Sequence, residues 1–167
     1  MITLEKAVSA DLDESYAIID EGRRFQKEQG FVQWTEGYPN RETLENDIRL
    51  GKGYVLKFDG KLAAYLCLDF DGEPAYNAID GAWRTAEPYG VVHRLAIGGA
   101  FRGQGLADEV FGHVGSLCLA CGVYSLRADT DFPNLRMQHV LEKNGFVRCG
   151  TVMFQGSGKL AYDKILK

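Results

Sequence analysis

The chain lacks the marks of several broad protein classes. Positive charge is not in excess: 19 Lys and Arg stand against 23 Asp and Glu, a formal net charge of −4, so no electrostatic argument favours a nucleic-acid partner. Cysteine is scarce, and Cys67, Cys118, Cys121 and Cys149 sit in apolar segments rather than in clustered loops, which argues against a disulfide framework. Cys118 and Cys121 form a C-x-x-C inside a helical pattern, but no second pair and no H-x-x-H completes a metal site. Buried thiols are the reading, with no metal expected. No apolar run approaches the length of a membrane span, and Met1-Ile2-Thr3-Leu4-Glu5-Lys6 does not open a secretory leader. A cytoplasmic location with no membrane partner is therefore the expectation. Low-complexity tracts, linkers and internal repeats are missing too. What is present is 46% hydrophobic residues in 167, enough for a real core and suited to one domain, 1–167.

Ile2 to Val8 reads as a first strand, and Asp11 followed by Glu14 resembles a capping box opening a helix with Leu12, Tyr16 and Ile19 inward. Asn40 is placed to cap a short helix that Gly51 ends, with Leu44 and Ile48 buried. Two apolar runs between Tyr54 and Phe70 flank Asp59-Gly60, a hairpin signal. Tyr76 to Asp80 is a weak strand pattern and Val91 to Ile97 a firmer one. Leu106, Val110, Val114, Leu117 and Cys121 recur at helical spacing from about Gly105 to Gly122. A strand over Tyr124 to Ala128, a helix over Asn134 to Lys143, and strands over Phe146 to Phe154 and Leu160 to Leu166 complete the chain. The order predicts an α/β fold whose sheet is partly antiparallel and partly parallel. If the last strand lies at an edge, it offers pairing to a second copy, so a homodimer is one outcome.

The most informative stretch runs from His93 through Arg94, Leu95, Ala96 and Ile97 into Gly98-Gly99-Ala100-Phe101-Arg102-Gly103-Gln104-Gly105-Leu106-Ala107. A strand enters a glycine-rich turn that opens a helix, where unpaired N–H groups and the positive end of the helix dipole converge, a natural seat for a diphosphate. A P-loop needs a Lys and a hydroxyl where Gln104 and Gly105 stand. The dinucleotide fingerprint needs a third glycine where Asp108 stands.

Arg102, Gly105 and Ala107 instead match the R-x-x-G-x-A form of the acetyl-CoA signature of the GNAT N-acyltransferase superfamily, which the chain resembles along nearly its whole length. A second signature, an asparagine ahead of a helix ending in E-K-x-G-F, is present as Asn134 and Glu142-Lys143-Asn144-Gly145-Phe146. The resemblance extends to Gln33-Trp34, Tyr38-Pro39 and Asp129-Thr130, as in a bacterial branch of the superfamily. It implies a mostly antiparallel mixed sheet with a central splayed parallel strand pair and about four helices. It also implies an N-acetyltransferase in which a primary amine of a small molecule or peptide attacks the thioester of acetyl-CoA directly. Main-chain groups of Leu95 and Ile97 then pair with the pantetheine arm, the Leu95 N–H polarises the thioester carbonyl, and Arg102, Gly103, Gln104, Gly105, Leu106 and Ala107 hold the pyrophosphate, with Asn134 also on the cofactor side.

Direct attack needs a neutral amine, hence a base. His93 is a candidate by residue type, by sharing Leu95's side of an alternating strand, and because serotonin N-acetyltransferases carry a histidine in the matching place. Its bland alternative is a structural histidine. Glu73 is a second candidate, or a solvated loop carboxylate. Trp34 and Tyr38 lie where the family builds its acceptor wall, although core packing explains them equally well. Asp129 and Asp131 could attract a cationic amine, or cap the following helix. Many family members carry a tyrosine acid where this chain has Leu141, so the thiolate leaves unassisted or takes its proton elsewhere. That missing acid motivates an alternative, a catalytically weak acyl-CoA-binding regulatory module.

Overall fold

Asp59 and Gly60 have φ of 50° and 80°, the left-handed pair that a two-residue hairpin turn requires. Strands β2 (Gly53–Phe58) and β3 (Lys61–Asp69) run antiparallel from that turn, and β1 (Ile2–Lys6) pairs antiparallel with the other side of β2. The computed structural model describes residues 1–167, which divide into two compact units. The first comprises Met1–Leu68 and His93–Val114; the second comprises Asp69–Val92 and Gly115–Lys167.

In the first unit the strand order is β1-β2-β3, followed by the His93–Ile97 part of β5 (Gly90–Ile97). The first strand ends at Lys6, not Val8, and a 3-10 turn over Ser9–Asp11 precedes helix α1 (Leu12–Glu28). The expected capping box of Asp11 with Glu14 does not form. Asp11 already has near-helical dihedrals, so its carboxylate turns back and accepts the Val8 N–H at 2.9 Å. Helix α2 (Arg41–Arg49) starts as expected: Asn40 Oδ1 accepts the Thr43 N–H at 2.9 Å and Thr43 Oγ1 accepts the Asn40 N–H at 3.2 Å, a pairing worth about 1 kcal/mol. Ile18, Ile19, Leu44, Val55, Tyr65 and Ala96 form the buried core here, with Trp34 and Ile48 packed against it. Helix α3 (Leu106–Ala120) begins in this unit, buried along Leu106, Val110, Phe111 and Val114.

In the second unit the order is β5-β6-β8-β7-β4, with β6 at Ser125–Asp131, β7 at Val147–Phe154, β8 at Ser157–Ile165 and β4 at Asp80–Gly81. The Gly90–Val92 part of β5 runs parallel to β6, in register at Gly90↔Leu126 and Val91↔Arg127, while the other pairings are antiparallel. Helix α4 (Leu135–Lys143) is capped by Asn134, whose Oδ1 accepts the Met137 N–H at 3.1 Å. Three expectations are corrected. Pro74–Ala78 is a 3-10 turn, leaving only Asp80–Gly81 extended, because Glu73 caps that turn through the Ala75 N–H at 3.0 Å. Strand β6 continues past Ala128 to Asp131, paired throughout with β8. The last strand is interior, between β6 and β7, which removes the edge-strand ground for a homodimer. At the true edge, a Cβ on Gly81 would stand 2.2 Å from the Cys149 carbonyl and one on Gly150 2.1 Å from the Asp80 carbonyl, so only glycine fits either place.

The chain is thus a mixed α/β fold of eight mostly antiparallel strands, one parallel pair and four helices. The four cysteines are free, Cys67 and Cys118 buried, and no helix is long and apolar enough to cross a membrane.

Candidate active site

The turn after β5 is tied down on the side facing its own unit and open on the other. The Gly98 N–H donates to the Ala63 carbonyl at 2.7 Å and the Gly99 N–H to Glu21 Oε2 at 2.9 Å, so β3 and α1 fix where the strand stops. One 3-10 turn follows, Gly99–Phe101. The guanidinium of Arg102 then lies over the Phe25 ring at 4.0 Å, and Gln104 Nε2 donates to the Ala100 carbonyl at 3.1 Å. Both side chains are engaged by the protein, which leaves main-chain groups as the donors at this turn. Gly103 and Gly105 have φ of 77° and 74°, are exposed, and have no atom within 4 Å of where a Cβ would stand. Leu106, 3% exposed, anchors the first turn of α3 in the core, and the opening amides of a helix have no intrahelical carbonyl to donate to. Positive dipole, left-handed amides and open space coincide here, which suits an anion such as a diphosphate.

In the strand itself Leu95 is buried at 8% and Ile97 is half-buried. His93 is half-buried as well. Strict alternation, which would put His93 on the side of Leu95, does not hold here, because Arg94 between them has φ of 54°. Arg94 was not among the sequence candidates, nor was Asp47. Arg94 Nε and Nη2 donate to the two oxygens of Asp47 at 2.9 and 2.6 Å, Arg94 Nη1 donates to the Tyr38 hydroxyl at 2.6 Å, and the Tyr65 hydroxyl donates to Asp47 at 2.8 Å. Burial disfavours the charged guanidinium most strongly of any single influence, but the Asp47 hydrogen bonds together with the charges of Cys67, Tyr38 and Asp47 outweigh it and hold Arg94 above its ordinary value. Burial, then the Asp47 charge, raises the Tyr65 phenol. The signal in the sequence was a charge on the apolar stripe of α2, since Asp47 falls three residues after the buried Leu44.

Trp34 and Tyr38 are brought into the same unit as His93, Leu95 and the glycine turn. Their loop is held from α1. Gln26 Oε1 accepts the N–H groups of Gln33 and Trp34 at 3.2 and 2.9 Å, while the buried Arg23 donates to the carbonyls of Thr35, at 2.8 Å, and Pro39. The Trp34 ring packs beside Gly22, where a Cβ would meet it at 3.0 Å.

The remaining candidates belong to the second unit. Glu73 and Asn134 serve as caps, as described, and Leu141 is buried at 1%, so a tyrosine there would overpack the interior. Asp129 and Asp131 lie on β6 and do not cap α4. Asp129 accepts the hydroxyl of fully buried Tyr76 at 2.6 Å, and Asp131 pairs with the buried Lys159. Burial pushes the Asp129 carboxyl up to about 6, against the lowering effects of the Tyr76 hydrogen bond and the Lys159 charge. Nearby, the Arg127 guanidinium lies 4.2 Å over Trp83 and 3.8 Å over Tyr89. No group of His, Cys, Asp and Glu side chains that could hold a metal ion is found.

The model of the acetyltransferase (GNAT) family matches residues 19–146. A solved GNAT-family acetyltransferase from Streptococcus agalactiae is similar over 98% of this chain and 95% of that one, at 36% identity and a TM-score of 0.89. A GNAT-family acetyltransferase from Listeria monocytogenes shares the fold at 20% identity, covering 98% and 94%, with a TM-score of 0.77. So does the aminoglycoside acetyltransferase AAC(6')-Ib in complex with coenzyme A, at 20% identity, 99% and 95% coverage and a TM-score of 0.72. No curated protein matches the chain.

Proposed function

The chain belongs to the acetyltransferase (GNAT) family, and on that premise we propose that it moves an acetyl group from acetyl-CoA to a primary amine of a small molecule or peptide. The observation that carries this reading is the turn Arg102–Ala107, where two exposed left-handed glycines have open space about them just ahead of α3. Main-chain amides there suit the pyrophosphate, and the residues fit the cosubstrate without a side-chain clamp. The family match runs across both units, which supports treating residues 1–167 as one domain.

When bound, acetyl-CoA supplies the activated acyl group. Leu95 and Ile97 offer main-chain groups along its arm, and the Leu95 N–H stands as the donor to the thioester carbonyl. By residue type and family resemblance, and from a half-buried place in the same unit as Leu95, His93 takes the ammonium proton of the acceptor. Trp34 and Tyr38, on a loop pinned by Arg23 and Gln26, form a preorganised side of the acceptor pocket, which suits an amine on a flat or apolar scaffold.

Gly105→Val tests the turn. A β-branched residue at φ 74° is strained whatever the space, so the amides move and CoA affinity in calorimetry should fall at least about tenfold, with far-UV circular dichroism unchanged. Unchanged affinity would remove the pyrophosphate assignment. A thiol-release assay across a panel of amines separates transfer from the alternative, since tight CoA binding without turnover would favour the regulatory module.

A further inference from the structure

Strand β5 carries a kink that nothing in its local sequence favours. Arg94 holds φ of 54° in mid-strand, a conformation that L side chains avoid. Its side chain is engaged by residues remote in the sequence. Both oxygens of Asp47 grip the planar guanidinium, at 2.9 and 2.6 Å. Asp47 is 5% exposed on a helix whose start is fixed by Asn40, and the buried Tyr65 hydroxyl secures its carboxylate from a third direction. Arg94 cannot swing away without leaving two charges unpaired in the interior. The ψ of residue 94 sets the plane of the peptide that follows, and that peptide carries the Leu95 N–H. On the other side, Arg94 Nη1 meets the Tyr38 hydroxyl at 2.6 Å.

We propose that Asp47 is a positioning residue for acetyl transfer: acting through Arg94, it holds the left-handed kink that aims the Leu95 N–H, and the same guanidinium sets the Tyr38 hydroxyl. This rests on the assignment of Leu95 as the carbonyl donor. Asp47 touches neither reacting group, and its effect passes through the backbone on one side and a phenol on the other. The arrangement couples the donor and the acceptor wall to a single carboxylate. A merely structural ion pair would stabilise the unit without choosing the direction of one amide.

Asp47→Asn keeps the size and the Tyr65 partner but loosens the grip. We expect kcat to fall about tenfold or more, up to the 10²–10³-fold typical of losing such a donor, with the KM for acetyl-CoA within about twofold and the KM for the amine raised. Adding Arg94→Gly to Asp47→Asn should restore kcat to within about threefold of wild type, because glycine adopts positive φ without an anchor, while the amine KM stays raised because Tyr38 has lost its partner. In parallel, the Leu95 amide resonance should move in Asp47→Asn and return in the double variant. Arg94→Lys, which keeps the charge without the two-pronged fork, should behave like Asp47→Asn and serves if that variant does not fold. A wild-type kcat and Leu95 resonance in the single variant, or a double variant no faster than the single at equal folded fraction, would overturn the proposal. If CoA moves neither the Leu95 nor the 102–107 amides of the wild type, the acetyltransferase reading fails instead, and the Leu95 resonance of Asp47→Asn alone still decides whether Asp47 holds the kink.

Discussion

Each unit sets a carboxylate against a buried tyrosine, and the two pairs behave differently. In the first, Asp47 takes the Tyr65 hydroxyl at 2.8 Å and a guanidinium on both oxygens. In the second, Asp129 takes the Tyr76 hydroxyl at 2.6 Å, while the neighbouring Lys159 ammonium bonds Asp131 rather than Asp129. A phenol alone does not compensate burial, and the Asp129 carboxyl is pushed up to about 6. A cation in direct contact turns the same motif into a fixed joint; without one it becomes a group that exchanges a proton near neutrality.

Breaking the joint is expected to have the largest effect. Asp47→Ala leaves Arg94 buried without its partner, and urea denaturation should show a loss of roughly 3–5 kcal/mol. A loss below about 1 kcal/mol would mean that the pair is solvated and the contrast unfounded. Next comes His93→Ala, expected to lower turnover about 10²-fold, some 2.7 kcal/mol in the barrier, with CoA affinity intact. That variant also sharpens the comparison, because His93 and Asp129 would each give an acidic limb to the rate profile. A limb that survives His93→Ala and vanishes in Asp129→Asn would move the base to the second unit.

Asp129→Asn should act on stability in the opposite sense to Asp47→Ala. A folded-state value of about 6 lies above the ordinary 3.8, so the folded protein holds this proton more tightly than the unfolded chain, and stability falls as pH rises from about 4 to 6. The amide removes that penalty. Discounted for partial exposure, the gain at pH 8 should be about 2 kcal/mol, shrinking as pH is lowered from 6 to 4. A difference that does not change with pH would refute the titration. The smallest effect is expected from Glu73→Ala, which removes the cap of the 3-10 turn next to Tyr76 and should lose about 1 kcal/mol or less.

Local chemistry was legible and remote chemistry was not. Asp59-Gly60, Asn40 and the glycine turn at 102–107 each state their conformation within a few residues, and the structure agrees. By sequence strand β6 ends at Ala128, because Asp129, Thr130 and Asp131 look like a loop; in the structure Tyr76 and Lys159, 53 and 28 residues away, donate to the two carboxylates. The stretch near Tyr76 looked like a strand because its burial is real, but a cap at Glu73 gives it helical turn geometry. Strict alternation at His93 breaks for a related reason: Arg94 has a positive φ, and its guanidinium pairs with Asp47, 47 positions earlier.

The chain has two tryptophans, and the structure places one in each unit: Trp34 in the pinned loop beside Gly22, Trp83 against Arg127. Each unit therefore carries its own fluorophore. In Trp83→Phe the emission comes from the proposed acceptor wall alone and should respond to amine binding. In Trp34→Phe it comes from beside a guanidinium, a neighbour able to tune its intensity, and reports the second unit's unfolding separately. Two single-colour probes, each needing one aromatic replacement, can thus show whether the units melt together or in sequence, without any attached dye.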